Sequence, residues 1–407
     1  MTVSASAAVT PDFLARIPKA DIHLHLDGSL RVETLIELAK AAKVSLPSET
    51  AEGLQTLVFK EKYADLPDYL QGFGLTCAVL QTPEALERVA YELAQDCIAE
   101  NVPYIEVRFA PQQHTRPGQN IADVLRAVDR GLARAAAERA ASPEVVSGAA
   151  LPFRYGIIAC AMRFFLPAFS PSYAELFDAL PSASLPEIHG LASLELARAC
   201  ARLAADEGLP VVALDLAGAE NGFPAVEHQA AYQAAAEGLL YATVHAGEAY
   251  GPESIYQAIT KCHADRIGHG TWLLAADRVT SASVKDPQAY VTRLAQLVAR
   301  RHITLEVCPT SNLQTLPEIP DIAHHPVLEQ LEQGLPVCIN TDNRLISRTT
   351  PARELGLLAA ARADTAASLR PVILEGFRTA FFSGSPAEHA AYCARAAALY
   401  DQVAAVP

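Results

Sequence analysis

The sequence predicts an α/β chain folded as a (β/α)8 TIM barrel, with a helical insertion after the first strand and helices at the C-terminus. Two observations point there. Apolar runs of strand length recur eight times, and helical stretches lie between them, several opening on a proline where a first turn begins. A third observation removes the main competitor. An open doubly wound sheet alternates in the same way, but its Gly-x-Gly-x-x-Gly phosphate loop is absent.

Residues 1–17 read as a short arm. Strand 1 runs from Asp21 to Asp27, where His23 and His25, two apart, share a face. From Val32 to Lys43, Leu35, Leu38 and Ala39 fall at helical spacing. Residues 46–80 read as an insertion, rather aromatic (Phe59, Tyr63, Tyr69, Phe73), and a candidate lid. A long helix starts at Thr82-Pro83-Glu84, with threonine as cap and proline in the first turn, and runs to about Glu100. The other strands read as Tyr104–Ala110, Phe153–Ala161, Val211–Ala217, Ala242–Ala246, Arg266–His269, Ile303–Cys308 and Pro336–Thr341. Helices fill 121–140, 191–207, 224–237, 252–262, 287–301 and 326–333, the last three with Pro252, Pro287 and Pro326 at their starts. The segment 351–407 is alanine-rich and reads as a helical cap, so that 1–407 forms one barrel domain.

Composition excludes several classes. Hydrophobic residues make up 51%, ample for a large core, yet no apolar run reaches the ~18 residues of a membrane span. The start lacks a basic stretch followed by an apolar one, so no secretory signal is read. The 8 cysteines form no Cys-x-x-Cys pair, which fits reduced thiols in a cytoplasmic protein. Lys+Arg total 32 against 46 Asp+Glu, a net charge of −14, with no basic cluster. Nucleic acid and anionic membrane are therefore poor partners, and a small neutral or cationic molecule is a better one.

Catalytic groups of a barrel sit where strands end. The polar residues of this chain collect there: Asp215 to Glu220, His245 to Glu248, His269-Gly270, Glu306 to Asn312, and Asn340 to Asn343. Three imidazoles and a carboxylate, His23, His25, His245 and Asp342, suit Zn2+. With no lysine at the end of strand 4 to bridge a second ion, one metal per chain is expected. A water bound there would have its pKa lowered towards ~7. Glu248, three residues after His245, could donate a proton, and His269 could orient or deprotonate the water. This set describes a hydrolase of a polarisable carbon, such as a ring amidine or an amide. His114, His189, His228, His263, His302, His324, His325 and His389 fall away from strand ends and read as surface or structural residues.

The motifs Pro18-Lys19-Ala20-Asp21-Ile22-His23-Leu24-His25-Leu26-Asp27-Gly28, Leu216-Ala217-Gly218, Val244-His245-Ala246-Gly247-Glu248, Arg266-Ile267-Gly268-His269-Gly270, Cys308-Pro309-Thr310-Ser311-Asn312 and Asn340-Thr341-Asp342 closely resemble adenosine deaminases of the amidohydrolase superfamily. Glu106-Val107-Arg108-Phe109-Ala110 is similar too, whereas 46–80 and the last ~50 residues match loosely. The resemblance implies zinc on His23, His25, His245 and Asp342. It implies that Glu248 protonates purine N1, and that His269 and Asp342 position the water and take its proton. The backbone N–H of Gly218 would meet N3, and Asp27 the ribose 5′-hydroxyl, in a purine nucleoside converted to an inosine-type product and ammonia. Many members carry two aspartates and a proline where this chain has Asp342-Asn343-Arg344. Asn343 can donate to purine N7 through its amide without needing a proton. Relatives acting on free adenine tend to carry Glu where Asp27 stands and to lack Leu-Ala-Gly, which disfavours an adenine deaminase. The nucleoside group also includes enzymes of aminodeoxyfutalosine, some accepting methylthioadenosine. A non-catalytic nucleoside-binding paralogue would be expected to have lost Glu248 or a zinc ligand, and all are present.

Overall fold

The computed structural model describes residues 8–405; residues 1–7 of the predicted arm lie outside the described residues, and the rest opens with a short helix, Pro11–Arg16. Eight strands follow: β1 Ala20–His25, β2 Tyr104–Phe109, β3 Arg154–Met162, β4 Val211–Ala217, β5 Tyr241–Ala246, β6 Arg266–His269, β7 Thr304–Val307 and β8 Val337–Ile339. They form one parallel sheet in chain order. Just past β8 a bridge pairs Asp342 with Leu24 and brings the sheet round into a (β/α)8 barrel. There the His25 N–H donates to the Asp342 carbonyl at 2.8 Å, and the Asp342 N–H donates to that of His23 at 2.9 Å.

The strands are buried on both faces, as a helix-wrapped parallel sheet requires. In β1 the alternate residues Ile22 and Leu24 join the apolar layer under the helices. Asp21, His23 and His25 point the other way, into the barrel, where they meet partners from other strands.

Between β1 and β2 the chain forms the helices Val32–Ala42, Ala51–Leu57, Leu66–Val79 and Pro83–Ala99. Thr50, Asp65 and Thr82 cap the last three, each side chain accepting a backbone N–H of the first turn. After β8, helices Pro351–Arg362, Ala366–Arg378 and Pro386–Ala404 complete the chain. Phe381, between the last two, stacks on Tyr241 at 4.6 Å and under the Arg266 guanidinium at 3.6 Å, plugging the barrel where β5 begins.

Several elements differ from the sequence reading. Strands β7 and β8 are shorter than expected; β7 stops where Pro309 opens a helix, Pro309–Thr315. A helix Pro171–Ala179, capped by Ser170, stands in a stretch assigned no element. The next helix starts at Leu185 rather than 191, where a Ser184–Glu187 capping box nucleates it. The stretch from 224 opens as a 3-10 turn, Ala225–His228, before its helix.

Candidate active site

His23, His25, His245 and Asp342 converge at the C-terminal mouth of the barrel. His23 donates from Nδ1 to the Glu306 carboxylate at 2.8 Å, and His245 from Nδ1 to Asp215 at 3.0 Å. Each bond leaves the Nε2 lone pair facing inward. His25 Nε2 lies 3.2 Å from His245 Nε2 and 3.4 Å from Asp342 Oδ1, while His23 Nε2 lies 3.5 Å from that oxygen. Ligand atoms ~2.0–2.1 Å from one five-coordinate ion stand ~2.9–3.6 Å apart, so this spacing fits a shared divalent cation. His23 Nε2 is buried without a hydrogen-bond partner. Burial pulls His25 down to about 3, keeping its imidazole neutral and able to ligate. The donor set therefore fits a metal. The nitrogen of His269 also falls within 4.8 Å of the ligand atoms of His23, His245 and Asp342. Gly268 makes room for the cluster, since a Cβ there would sit 3.0 Å from the His23 ring.

Beneath the ligands lies a lattice of fully buried charges. Arg108 donates to Asp215 at 3.0 Å and to Glu306 at 2.8 Å, tying together the carboxylates that hold His245 and His23. Arg266 joins Glu306, at 2.6 Å, to Glu106. Burial alone would push Glu306 up, but Arg108 and Arg266 hold it well below the usual carboxylate range.

Glu248 hangs from a loop held by another carboxylate. Glu220 accepts from four successive backbone N–H groups: Gly247 at 2.7 Å, Glu248 at 3.1 Å, Ala249 at 2.7 Å and Tyr250 at 3.0 Å. The Trp272 indole donates to the Glu248 carbonyl at 2.7 Å. Burial, and then the negative charges of Asp342 and Glu220, push the Glu248 carboxyl well above its ordinary range, so it holds its proton.

The protonation of His269 follows from a relay. The Val327 N–H donates to His325 Nδ1 at 3.0 Å, so His325 carries its proton on Nε2 and gives it to Asn312 Oδ1 at 3.2 Å. The Asn312 amide must then turn its nitrogen to His269 Nδ1, 3.2 Å away. Neutral His269 therefore bears its proton on Nε2, which lies 3.7 Å from Glu248 Oε2. Burial holds this imidazole well below its ordinary pKa. It can donate a hydrogen bond inward but has no inward lone pair. His269 (φ 63°) and Asp342 (φ 61°) both adopt the left-handed region, uncommon outside glycine and frequent at functional sites.

A cavity of about 810 Å3 opens above these groups, and His25, Asp27, Gly218, His245, Glu248, His269, Asp342 and Asn343 all reach it. His23 lies directly beneath, fully buried. The structure thus brings every expected site residue to one place. One wall comes from helix Leu66–Val79 through Leu70, Phe73 and Cys77, and another from the loop after β3 through Phe164 and Phe169. No lysine or arginine lines it among the described residues. Asn343 donates from Nδ2 to the Tyr69 hydroxyl at 2.8 Å, and Tyr69 pairs with Ser347 at 2.7 Å, tying that helix to the loop after β8. Sequence reasoning assigned no role to Arg108, Asp215, Glu220, Glu306 or Asn312. Their strand-end positions were the available signal. His114, read as a residue apart from the site, is instead buried beside Asp27 with its Nε2 3.7 Å away.

The family model described as adenosine deaminase matches residues 18–177 and 184–390. An adenosine deaminase of Mycobacterium marinum is 36% identical over 348 residues, 85% of each chain. Among solved structures, an amidohydrolase of Burkholderia ambifaria with bound Zn superposes with a TM-score of 0.72 at 22% identity, covering 99% of this chain and 96% of the other. An adenine deaminase of Arthrobacter aurescens gives a TM-score of 0.69 at 24% identity, covering 93% and 98%. At such identities these two likenesses speak for the fold.

Proposed function

The chain belongs to the adenosine deaminase family, hydrolases that deaminate purines, and from that premise we propose that it removes the 6-amino group of an adenine nucleoside with the help of one zinc ion. The observation that carries this reading is the placing of a protonated, loop-clamped Glu248 beside a metal-fitting His/Asp cluster in one cavity. We assign zinc to His23, His25, His245 and Asp342, where its chemistry is to lower the pKa of a water towards ~7.

In this reading Glu248 delivers its proton to purine N1, which makes C6 electrophilic. Asp342 takes the proton of the attacking water. His269 orients that water from Nε2–H and is not its base, because the Asn312 relay occupies its other nitrogen. The Gly218 N–H meets N3, the Asn343 amide donates to N7, and Asp27 receives the ribose 5′-hydroxyl. Asp27 Oδ1 is buried without a hydrogen-bond partner, which fits a site that waits for such a donor. Water adds to C6, ammonia leaves, and a 6-oxo purine nucleoside remains.

The cavity wall favours a nucleoside over a nucleotide. A phosphate would meet the Asp27 carboxylate and find no cation among the described lining residues. Adenosine and aminodeoxyfutalosine are the two substrates proposed, with methylthioadenosine-type compounds as further candidates. The segment 46–80 acts as the lid of this single-domain enzyme, since Leu66, Tyr69, Leu70, Phe73 and Cys77 belong to it and line the cavity. A cytoplasmic setting accords with eight cysteines that are all free.

The test is metal analysis of the purified protein together with ammonia release from adenosine, adenine, methylthioadenosine and aminodeoxyfutalosine. One zinc per chain and turnover of a nucleoside are expected. No ammonia from any of them would overturn the reading. Faster turnover of adenine than of every nucleoside would move it to the free base.

A further inference from the structure

A second group of metal-binding side chains sits on the cavity wall, apart from the His/Asp cluster. Asp27 follows β1, Cys77 comes from helix Leu66–Val79, and His114 ends the 3-10 turn Pro111–His114 after β2. One ligand atom from each lies within 4.8 Å of the others. Asp27 Oδ2 is 3.7 Å from His114 Nε2 and 3.9 Å from Cys77 Sγ.

The protonation of His114 is set by its surroundings. Its Nδ1 lies 3.0 Å from the Leu80 carbonyl, which can only accept, so Nδ1 carries the proton. With the ring neutral, the Nε2 lone pair faces the Asp27 carboxylate across 3.7 Å. His114 is fully buried and its Nε2 lacks a hydrogen-bond partner, while the Asp27 oxygen that faces it, Oδ2, has only the Cys77 thiol near it, at 3.9 Å. Beside them Gln113 turns another oxygen inward, taking the Cys77 thiol proton at 3.3 Å. Two Lewis bases that face each other in a buried wall are stabilised by a cation between them. A nitrogen, a carboxylate oxygen and a sulfur at these separations suit a borderline or soft d10 cation, while Mg2+ and Ca2+ prefer oxygen. The carbonyl behind His114 orients the ring as carbonyls do behind ligating histidines.

We propose that Asp27, Cys77 and His114 form a second site for Zn2+ or Cd2+, and that its occupancy shuts out the nucleoside. Binding forms a metal–sulfur bond while the Cys77 thiol proton leaves to solvent, so one proton is released per ion and affinity rises with pH. The ion site stands on its own geometry. Only the exclusion of nucleoside rests on the deaminase reading, which gives Asp27 to the ribose. Zinc beyond one equivalent then inhibits in competition with substrate.

The test titrates protein already holding one zinc per chain with Cd2+, following bound metal by equilibrium dialysis and the ultraviolet thiolate-to-cadmium band. The first site holds no sulfur, so exchange there raises no such band. Wild type should take up one further equivalent and develop the band. Cys77→Ser and His114→Gln should each lose that equivalent, with circular dichroism unchanged. Wild type that stays at one metal per chain would overturn the proposal. So would a second equivalent that raises no band, or one that persists in either variant. A saturating adenine nucleoside should slow Cd2+ uptake. If Cd2+ binds as described but nucleoside has no effect on it, the ion site stands and the placing of ribose at Asp27 falls.

Discussion

Arg108 offers the sharpest test of how the metal ligands are held. It is fully buried, and its guanidinium joins Asp215 and Glu306, which orient His245 and His23. Arg108→Met keeps a stem of similar length and deletes the charge. Glu306 retains Arg266 at 2.6 Å, but Asp215 is left with His245 and with weaker donors such as the Cys160 thiol. Breaking a buried pair by removing one partner costs ~3–5 kcal/mol, because the other charge stays buried without compensation. Misplaced orienting carboxylates should also weaken metal binding ~10–100-fold. Urea unfolding of the metal-free protein reads the first effect, and competition against a chelator reads the second. Arg108→Met/Asp215→Asn should recover much of the stability, since the stranded charge is gone, but not the metal affinity. A loss below ~1 kcal/mol, the scale of an exposed ion pair, together with unchanged metal affinity, would refute the account.

Three further predictions concern single groups. Glu248→Gln should keep its metal and lose ~10²–10⁴-fold in kcat, and full turnover would remove Glu248 as proton donor. Glu354, buried against the Thr310 N–H and the Thr349 hydroxyl, is pushed by burial up to about 7. An unfolded glutamate ionises near ~4.3, so the stability tied to Glu354 is fully present below that pH and is lost as pH rises through 7. The unfolding midpoint should therefore fall across this window in wild type and fall less in Glu354→Gln; parallel profiles would contradict the burial argument. Asn343→Ala, which also releases Tyr69, should weaken adenosine binding more than that of 7-deazaadenosine, which lacks the N7 acceptor, by the ~0.5–1.5 kcal/mol of one hydrogen bond. Equal losses on both compounds would place the amide elsewhere.

The barrel was legible because period and position agreed. Each strand run was followed by a helical one, and His23, His25, His245, His269 and Asp342 all fell where strands end. What escaped was decided by partners far away in the chain. Nothing local to Arg108 shows that it will lie between Asp215 and Glu306, more than a hundred residues distant from the first and nearly two hundred from the second. The tautomer of His269 depends on His325 and on a backbone N–H at Val327, partners that no pattern local to His269 shows. His114 was set aside because it follows a strand by several residues. The 3-10 turn Pro111–His114 folds it back against Asp27. Strand lengths failed at Pro309, where a helix begins without an intervening loop.

The seam that closes the barrel is made by the backbones of three of the proposed ligands, His23 and His25 on one side and Asp342 on the other. The first strand leaves the ribosome more than three hundred residues before its last partner. During synthesis its two histidines therefore wait, with an unpaired strand edge, for the end of the sheet. A chain cut short before Asp342 loses a proposed metal ligand and the closing bridge together. Such pairing across the chain makes folding slow and leaves the early edge open to wrong partners. An ion captured at the seam would then report that the chain has been made past Asp342, since the site exists only once both ends of the sheet have met.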